Sequence, residues 1–299
     1  FRRVLFRSSL PVMGDDVSGY MAQMMRMQGQ TPQPSWGIVD QLKEQYEVVK
    51  VDMDVEEIKD VDILLVIHPK ELSEKALFAI DQFVLKGGPT VVCVDPYCIV
   101  DQPKEGMSMQ GMAPQNSDLN TLLRTWGIEM PEGVFAGDRE LAVTAAMSQS
   151  QRPAKIIGYL GLTNECFDKD TVSVANLNDV KVLFAGILDK LPDTDDKKFD
   201  GFERRPIVQT TNRGNGWTVE SEYELMMPNP QRMMSRFTDG TGPVTIGYMI
   251  SGKLKSTFPD GIDVEIKKEG EEKADEEKKD EKPQTKHLES VKESTGESM

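Results

Sequence analysis

The residue types able to do acid–base or nucleophilic chemistry are few and scattered. His68 stands in His68-Pro69-Lys70, directly after one apolar run, and Asp95 opens Asp95-Pro96-Tyr97 after another. Asp52 and Asp54 are two residues apart at the end of a third run, so they share one face of a strand. At a strand end His68 could serve as a base or a ligand. The plainer reading is a turn histidine before proline, held by local hydrogen bonds. Two carboxylates without a third ligand do not make a metal site, and capping a loop is the plainer role for Asp52 and Asp54. Cys93 lies among valines and reads as a buried small apolar side chain. No Gly-x-Cys/Ser-x-Gly turn presents it as a nucleophile. Cys98 sits in a loop with no activating histidine or lysine pattern around it. Met107, Met109 and Met112 are spaced thioethers, a ligand type that suits Cu(I), and read more simply as an adaptable contact loop. Neither GxxxxGKS/T nor GxGxxG occurs, so nucleotide sites of those kinds have no support. The pattern points to no catalytic residue, no metal and no cofactor. It leaves His68, Lys70, Asp95, Tyr97, Asp52 and Asp54 as candidate ligand contacts.

Those residues need a scaffold, and residues 60–96 specify one. Ile63, Leu64, Leu65, Val66 and Ile67 are continuous rather than alternating, the pattern of a parallel strand covered on both faces. Ser73 can cap the next helix, and Glu74 favours its positive end. Leu77, Ile80, Phe83 and Val84 make its buried stripe, while Asp81, Gln82 and Lys86 are placed toward water. Gly87-Gly88 supplies a left-handed helix stop. Val91, Val92, Cys93 and Val94 then read as a second buried strand, reached by a right-handed crossover. The strand ending at Asp52 and Asp54 is expected beside this pair. In open α/β sheets ligands sit beyond the carboxyl ends of the strands, where the strand order switches. Here those ends are Asp52 and Asp54, His68-Pro69-Lys70, and Asp95-Pro96-Tyr97.

Composition narrows the partners. With 299 residues the chain can form one large domain or two small ones. The net charge of −15, with no basic stripe, argues against nucleic acid. Three cysteines without a CxxC pair cannot build a disulfide framework. No apolar run reaches the roughly 18–20 residues that span a bilayer, and no secretory h-region opens the chain.

Residues 1–8, FRRVLFRS, have a separate explanation. VLFRS is the translation of GTGCTCTTCCGATCT, the end of a common sequencing adapter. Residues 1–8 therefore read as an assembly artefact, with an original first strand lost ahead of Leu10. Residues 13–30 allow a short Met-rich helix, and Ser35 is a possible cap for a helix over 36–45. Residues 46–53 read as a strand. Residues 106–116 form a Gly-, Pro- and Met-rich insertion. Ser117 resembles the cap of a helix over 118–126, which Gly127 ends. Short strands are expected at 134–135, 141–145, 156–162, 172–174, 182–185, 206–211 and 244–251. A polar loop occupies 192–201, and a weak helix interrupted by prolines lies within 220–236. A soft boundary is placed near 150. Beyond 263 apolar residues nearly vanish, so 263–299 reads as a disordered charged linker.

Several stretches resemble one family. SSLPVMG, PSWGIVDQLKEQYEVVKVD, VDILLVIHPKELSEKALFAIDQFVLKGGPTVVCVDP, SDLNTLLRTWGIE and GYLGLTNECFDKD are similar to the GldG-like auxiliary proteins of ABC transporters, some of them associated with gliding motility. The resemblance runs over residues 9–259 and is strongest over 34–96. It implies a three-layer α/β fold around a parallel sheet with a mixed edge, distantly like that of class I amidotransferases. A β-rich C-terminal extension and a charged tail would follow. It also implies an extracytoplasmic location at the bacterial inner membrane, with anchoring helices at the ends of a longer parent chain. The implied partners are the permease and ATPase subunits or a sister auxiliary subunit. No catalytic residue carries over from the family. The expected function is a non-enzymatic accessory or binding component of an ABC-type transport system. One rival is an amidotransferase-like or saccharide-processing enzyme using His68, Asp95 and Cys98, and another is a structural spacer.

Overall fold

In a computed structural model, the structure describes residues 3–8, 12–13, 23–25, 27, 34–51, 55–101, 115–146, 152–195, 198–221, 223–265 and 285–294. Four strands form a parallel sheet: β1 (Arg3–Ser8), β2 (Glu47–Lys50), β3 (Ile63–Ile67) and β4 (Thr90–Cys93), in the order β2-β1-β3-β4. Residues 3–8 thus fill the slot between β2 and β3. The strand expected beside β3 pairs instead with β1, in the register Arg3↔Glu47, while Val4 pairs with Ile63. The adapter reading concerns the origin of these residues. Their placement follows from a short apolar stretch able to lend backbone donors and acceptors to both neighbours.

Both faces of β3 are covered, as its unbroken apolar run requires. Leu64 and Val66 pack under helix α2 (Glu74–Leu85) and helix α3 (Asn120–Thr125). Leu65 turns to the other face, against Val4 and Val39 of helix α1 (Gly37–Lys43). This alternation makes the three layers. Ser73 Oγ accepts from the Ala76 N–H at 3.2 Å, and Gly87 (φ 84°) ends α2 in the left-handed region. The Ser35 cap is not formed: Trp36 occupies the cap position of α1 without a side-chain bond, and Ser35 bonds Asp40.

Two expectations for this unit are corrected. The strand β4 is not fully buried. It is the sheet edge, and Val91 and Cys93 lie exposed beside Leu65 and Ile67 on the α1 face, where the seven-residue α1 does not reach. Cys93 is therefore not a core residue. On α2, Asp81 and Gln82 do not face water but are 0% and 5% exposed. The C-terminal part of the chain lies over them. Asp81 accepts from Ser256 Oγ (2.7 Å), the Thr257 N–H (3.1 Å) and Gln82 Nε2 (3.0 Å). Gln82 accepts from the Val291 N–H at 2.7 Å and donates to Ser290 Oγ at 3.1 Å. Lys86 is exposed and pairs with Glu57.

The second half is a set of small antiparallel sheets. Strands β5 (Ile128–Glu129) and β10 (Asp189–Lys190) pair, as do β6 (Val134–Gly137) and β12 (Asn215–Thr218). Strands β7 (Ala142–Ala145), β8 (Ala154–Leu162) and β9 (Val180–Leu183) form a three-stranded sheet. Strands β11 (Phe202–Gln209) and β13 (Thr245–Gly252) make a long pair. The point near 150 falls inside the β7–β8 pair, where Ala145 lies opposite Ala154. Phe202, Tyr248, Ile250 and Leu254 pack into the same cluster as Leu64 and Leu122, so the halves share a core. Helices α4 (Tyr223–Met226) and α5 (Pro230–Arg236) follow β12; Asn229 caps α5 and Pro230 opens it. Residues 172–174 are a turn rather than a strand, because the Val174 and Ala175 N–H groups bond back to the Thr171 carbonyl and leave Val172 exposed.

Part of the expected disordered linker is built into the body. Strand β14 (Ile262–Glu265) pairs with β15 (Thr285–Leu288), and the Ser294 N–H bonds the Leu254 carbonyl at 2.9 Å. His287, read as a tail residue, lies in β15 with Nδ1 2.8 Å from Asp263 Oδ1. Residues 266–284 and residues 102–114, with Met107, Met109 and Met112, lie outside the described residues. Among the described residues no helix is long and apolar enough to cross a membrane.

Candidate functional site

The strand order places the switch between β1 and β3, so among the described residues the crevice belongs to those that follow Ile67. After β3 the chain turns sharply. His68 (φ 47°) and Glu71 (φ 50°) both adopt left-handed backbone that L residues rarely tolerate. The His68 N–H is fixed to the Cys93 carbonyl at 2.9 Å, and the Pro69 carbonyl accepts from the Asp118 N–H at 2.8 Å. The turn is thereby tied to both β4 and the approach to α3.

The His68 ring is 2% exposed. Its Nδ1 is 2.9 Å from Ser117 Oγ, and its Nε2 is 3.2 Å from Asp101 Oδ2. Lys70 Nζ donates to the same Asp101 oxygen at 2.8 Å. Ser117 Oγ also accepts from the Asp95 N–H at 2.9 Å. One proton arrangement satisfies all of these bonds. His68 is neutral with its proton on Nε2, donating to Asp101, while the Ser117 hydroxyl donates to Nδ1. Gln115 closes the knot, its amide donating to the carbonyls of Cys98 and Asp101.

Electrostatics agrees with that assignment. Burial holds His68 below its ordinary pKa, outweighing the pull of Asp101. Burial works to raise the Asp101 carboxyl, but the bonds from Lys70 and His68 win and hold it below its usual range. Asp95 is pushed up to about 7 by burial, against the opposing bond from the Tyr97 N–H at 3.0 Å. Burial and then the nearby Asp95 charge raise the Cys98 thiol.

The order Asp101–His68–Ser117 is that of an acid–histidine–serine relay. Ser117 is 3% exposed, and its hydroxyl is engaged by both His68 and the Asp95 N–H. Cys98 is buried, and among the described residues no hydrogen bond joins its thiol to His68.

Of the six candidate contacts, His68, Lys70 and Asp95 are brought into one network. Tyr97 is 3% exposed and turns into the core beside Phe135, Ile156 and Phe184, so its ring does not line the crevice. Asp52 and Asp54 lie outside the described residues. The missed members are Ser117, Asp101 and Gln115. Ser117 reads as a helix cap from its sequence, yet α3 begins only at Asn120, with Leu119 at the cap position. That two-residue delay frees its hydroxyl for His68. Among the described residues no group of three potential metal ligands converges.

No curated protein matches the chain. The family described as an ABC-type uncharacterized transport system matches residues 9–285. The chain belongs to this family. Its name indicates an auxiliary component of an ABC-type transport system, and the match takes in the whole His68 network.

In this transport-auxiliary chain Asp95 allows a direct test. A carboxyl whose folded pKa is raised keeps its proton in the folded state after the unfolded state has lost it. The folded state is then penalised as pH rises from about 4 to about 7. Asp95→Asn keeps an acceptor for the Tyr97 N–H and removes the charge. Its stability in urea is expected to exceed that of the parent at pH 8, and its profile should lack the decline between pH 4 and 7. An unchanged profile would show that Asp95 is well solvated.

Proposed function

We propose that the chain is a non-enzymatic accessory component of an ABC-type transport system, working at the extracytoplasmic face of the membrane by binding a partner subunit. The carrying observation is the family match from residue 9 to residue 285. The state of the His68 network supports the non-enzymatic part. Its histidine, serine and carboxylate are spent on one another, leaving no free nucleophile–base pair. Within this reading the chain is GldG-like, in some hosts serves gliding motility, and is anchored through flanking helices. Its partners are the ATPase and permease subunits or a sister auxiliary subunit. The distant likeness of its sheet to amidotransferases transfers no catalytic residue.

The test is association. The tagged chain is co-expressed with the ATPase and permease subunits of an ABC-type transport system from the same genome and recovered from solubilised membranes. Co-elution of both subunits is expected. Recovery of the chain alone counts against the proposal. So does ester, amide or glycoside hydrolysis by the purified chain that disappears in His68→Ala.

A further inference from the structure

A well-framed cleft lies away from the His68 network. It has a volume of about 610 Å³ and opens between the turn after β8 and the loop that leaves β11. That volume falls within the range of about 300–1,000 Å³ typical of ligand sites.

Both walls are fixed in advance. On one side, Asp138 is 0% exposed, and its carboxylate accepts from the Glu140 N–H (2.8 Å), the Leu141 N–H (3.2 Å), the Thr211 N–H (3.0 Å) and the Thr211 hydroxyl (2.6 Å). This locks the loop carrying Asn212. On the other side, Phe167 bridges to Val208, and the Asp168 N–H bonds the Ile207 carbonyl at 3.0 Å. Asp168 is also paired with Arg205 at 2.9 Å. A ligand entering here would find the site already ordered and would not bear the cost of ordering it.

What remains free decides the ligand class. Among the described residues the Glu165 carboxylate and the Asn212 amide have no hydrogen-bond partner in the chain, and both line the cleft. The exposed Pro206 and Pro243 side chains add apolar lining. The combination offers a small apolar wall together with separate acceptors and donors. An anion would meet the unpaired Glu165, because Arg213 is committed to Asp239 and Glu140. A cation would find one carboxylate open to water, which is worth at most about 1 kcal/mol. A neutral molecule with an apolar ring face and a rim of hydroxyls uses every group: hydroxyls donate to Glu165, accept from Asn212, and the ring's C–H face covers the apolar wall.

We infer that this cleft binds a neutral saccharide. The inference rests on reading the chain as a binding component, and it moves ligand capture from the strand ends to the antiparallel half.

The test is calorimetric titration of the full chain with maltohexaose, cellohexaose, chitohexaose, polygalacturonate and spermine. At least one neutral hexasaccharide is expected to bind, and Glu165→Gln and Asn212→Ala are each expected to weaken it by about tenfold. Both positions are exposed, so the variants should fold like the parent, which circular dichroism checks. No binding of a neutral hexasaccharide at about 10 mM overturns the inference. Binding of spermine or polygalacturonate alone also does, as does unchanged affinity in both variants. The pull-down of transporter subunits does not depend on this cleft, so failure of either experiment leaves the other intact.

Discussion

Replacing Asp138 by alanine is expected to lower the free energy of unfolding by about 3–5 kcal/mol, the cost typical of removing one partner from a buried charged network. The carboxylate is 0% exposed and serves three backbone N–H groups and one hydroxyl. Alanine leaves all four donors without a partner, and a buried unsatisfied donor costs about 1–3 kcal/mol. Local relaxation and water entry keep the total below the simple sum. Asp138→Asn retains acceptor oxygen but turns an amide N–H₂ toward donors, so about half the loss is expected. Urea titrations of the three proteins measure this. A loss under about 1 kcal/mol in Asp138→Ala would mean that the loops holding Glu140 and Thr211 do not depend on the carboxylate. The same variant should also lose affinity for any ligand of the cleft.

The second large effect belongs to His68. His68→Ala removes a ring that bonds Ser117 and Asp101 and fills a nearly closed space, and about 2–4 kcal/mol of destabilisation is expected. A companion variant separates ring from backbone. His68 has φ 47°, which costs an L residue roughly 1–2 kcal/mol relative to glycine. His68→Gly should therefore be more stable than His68→Ala by about 1 kcal/mol, although glycine usually weakens a fold. The pH dependence carries its own sign. A histidine held neutral by burial has a folded pKa below the unfolded value. Its contribution is complete above the unfolded value of about 6.5 and is lost as pH falls below it. The parent should lose stability from about pH 6.5 downward through this group, and His68→Ala should lose less. Asp95 acts in the opposite direction over an overlapping range, so the comparison is cleanest in an Asp95→Asn background. Equal acid sensitivity in both proteins would place the titrating group elsewhere.

The elements framing the His68 network were legible where local pattern alone decides structure. The run Ile63–Ile67 is apolar at every position because both its faces are covered, and Ser73 and Gly87 mark the ends of α2 by backbone chemistry within one turn. Legibility ended where a remote segment supplies the environment. Valines in β4 report strand propensity but not whether a helix reaches them, and Val91 is 52% exposed. Asp81 and Gln82 lie on the polar side of a helical wheel, and only the later chain makes that side interior. Of the site, His68, Lys70 and Asp95 were readable as strand-end residues. Asp101 was not, because its tie to His68 spans 33 residues that include α2 and β4. Ser117 misled because its setting looks like a helix cap although the helix starts later.

The clasp over α2 has a consequence for how the protein is made. Asp81 and Gln82 find their partners 174 to 209 residues further along the chain. While the chain is being synthesised at about 5–20 residues per second, the parallel sheet and its helices leave the ribosome first. They must wait on the order of ten seconds or more for residues 256–258 and 290–291. During that interval α2 carries a bare carboxylate and amide beside Phe78, whose apolar partners Phe258, Ile262 and Val264 are also still to come. The nascent domain therefore passes through a stage with a sticky, half-finished flank. A stop codon placed before residue 256 would make that stage permanent, turning a late-translated segment into the determinant of whether an early one stays soluble.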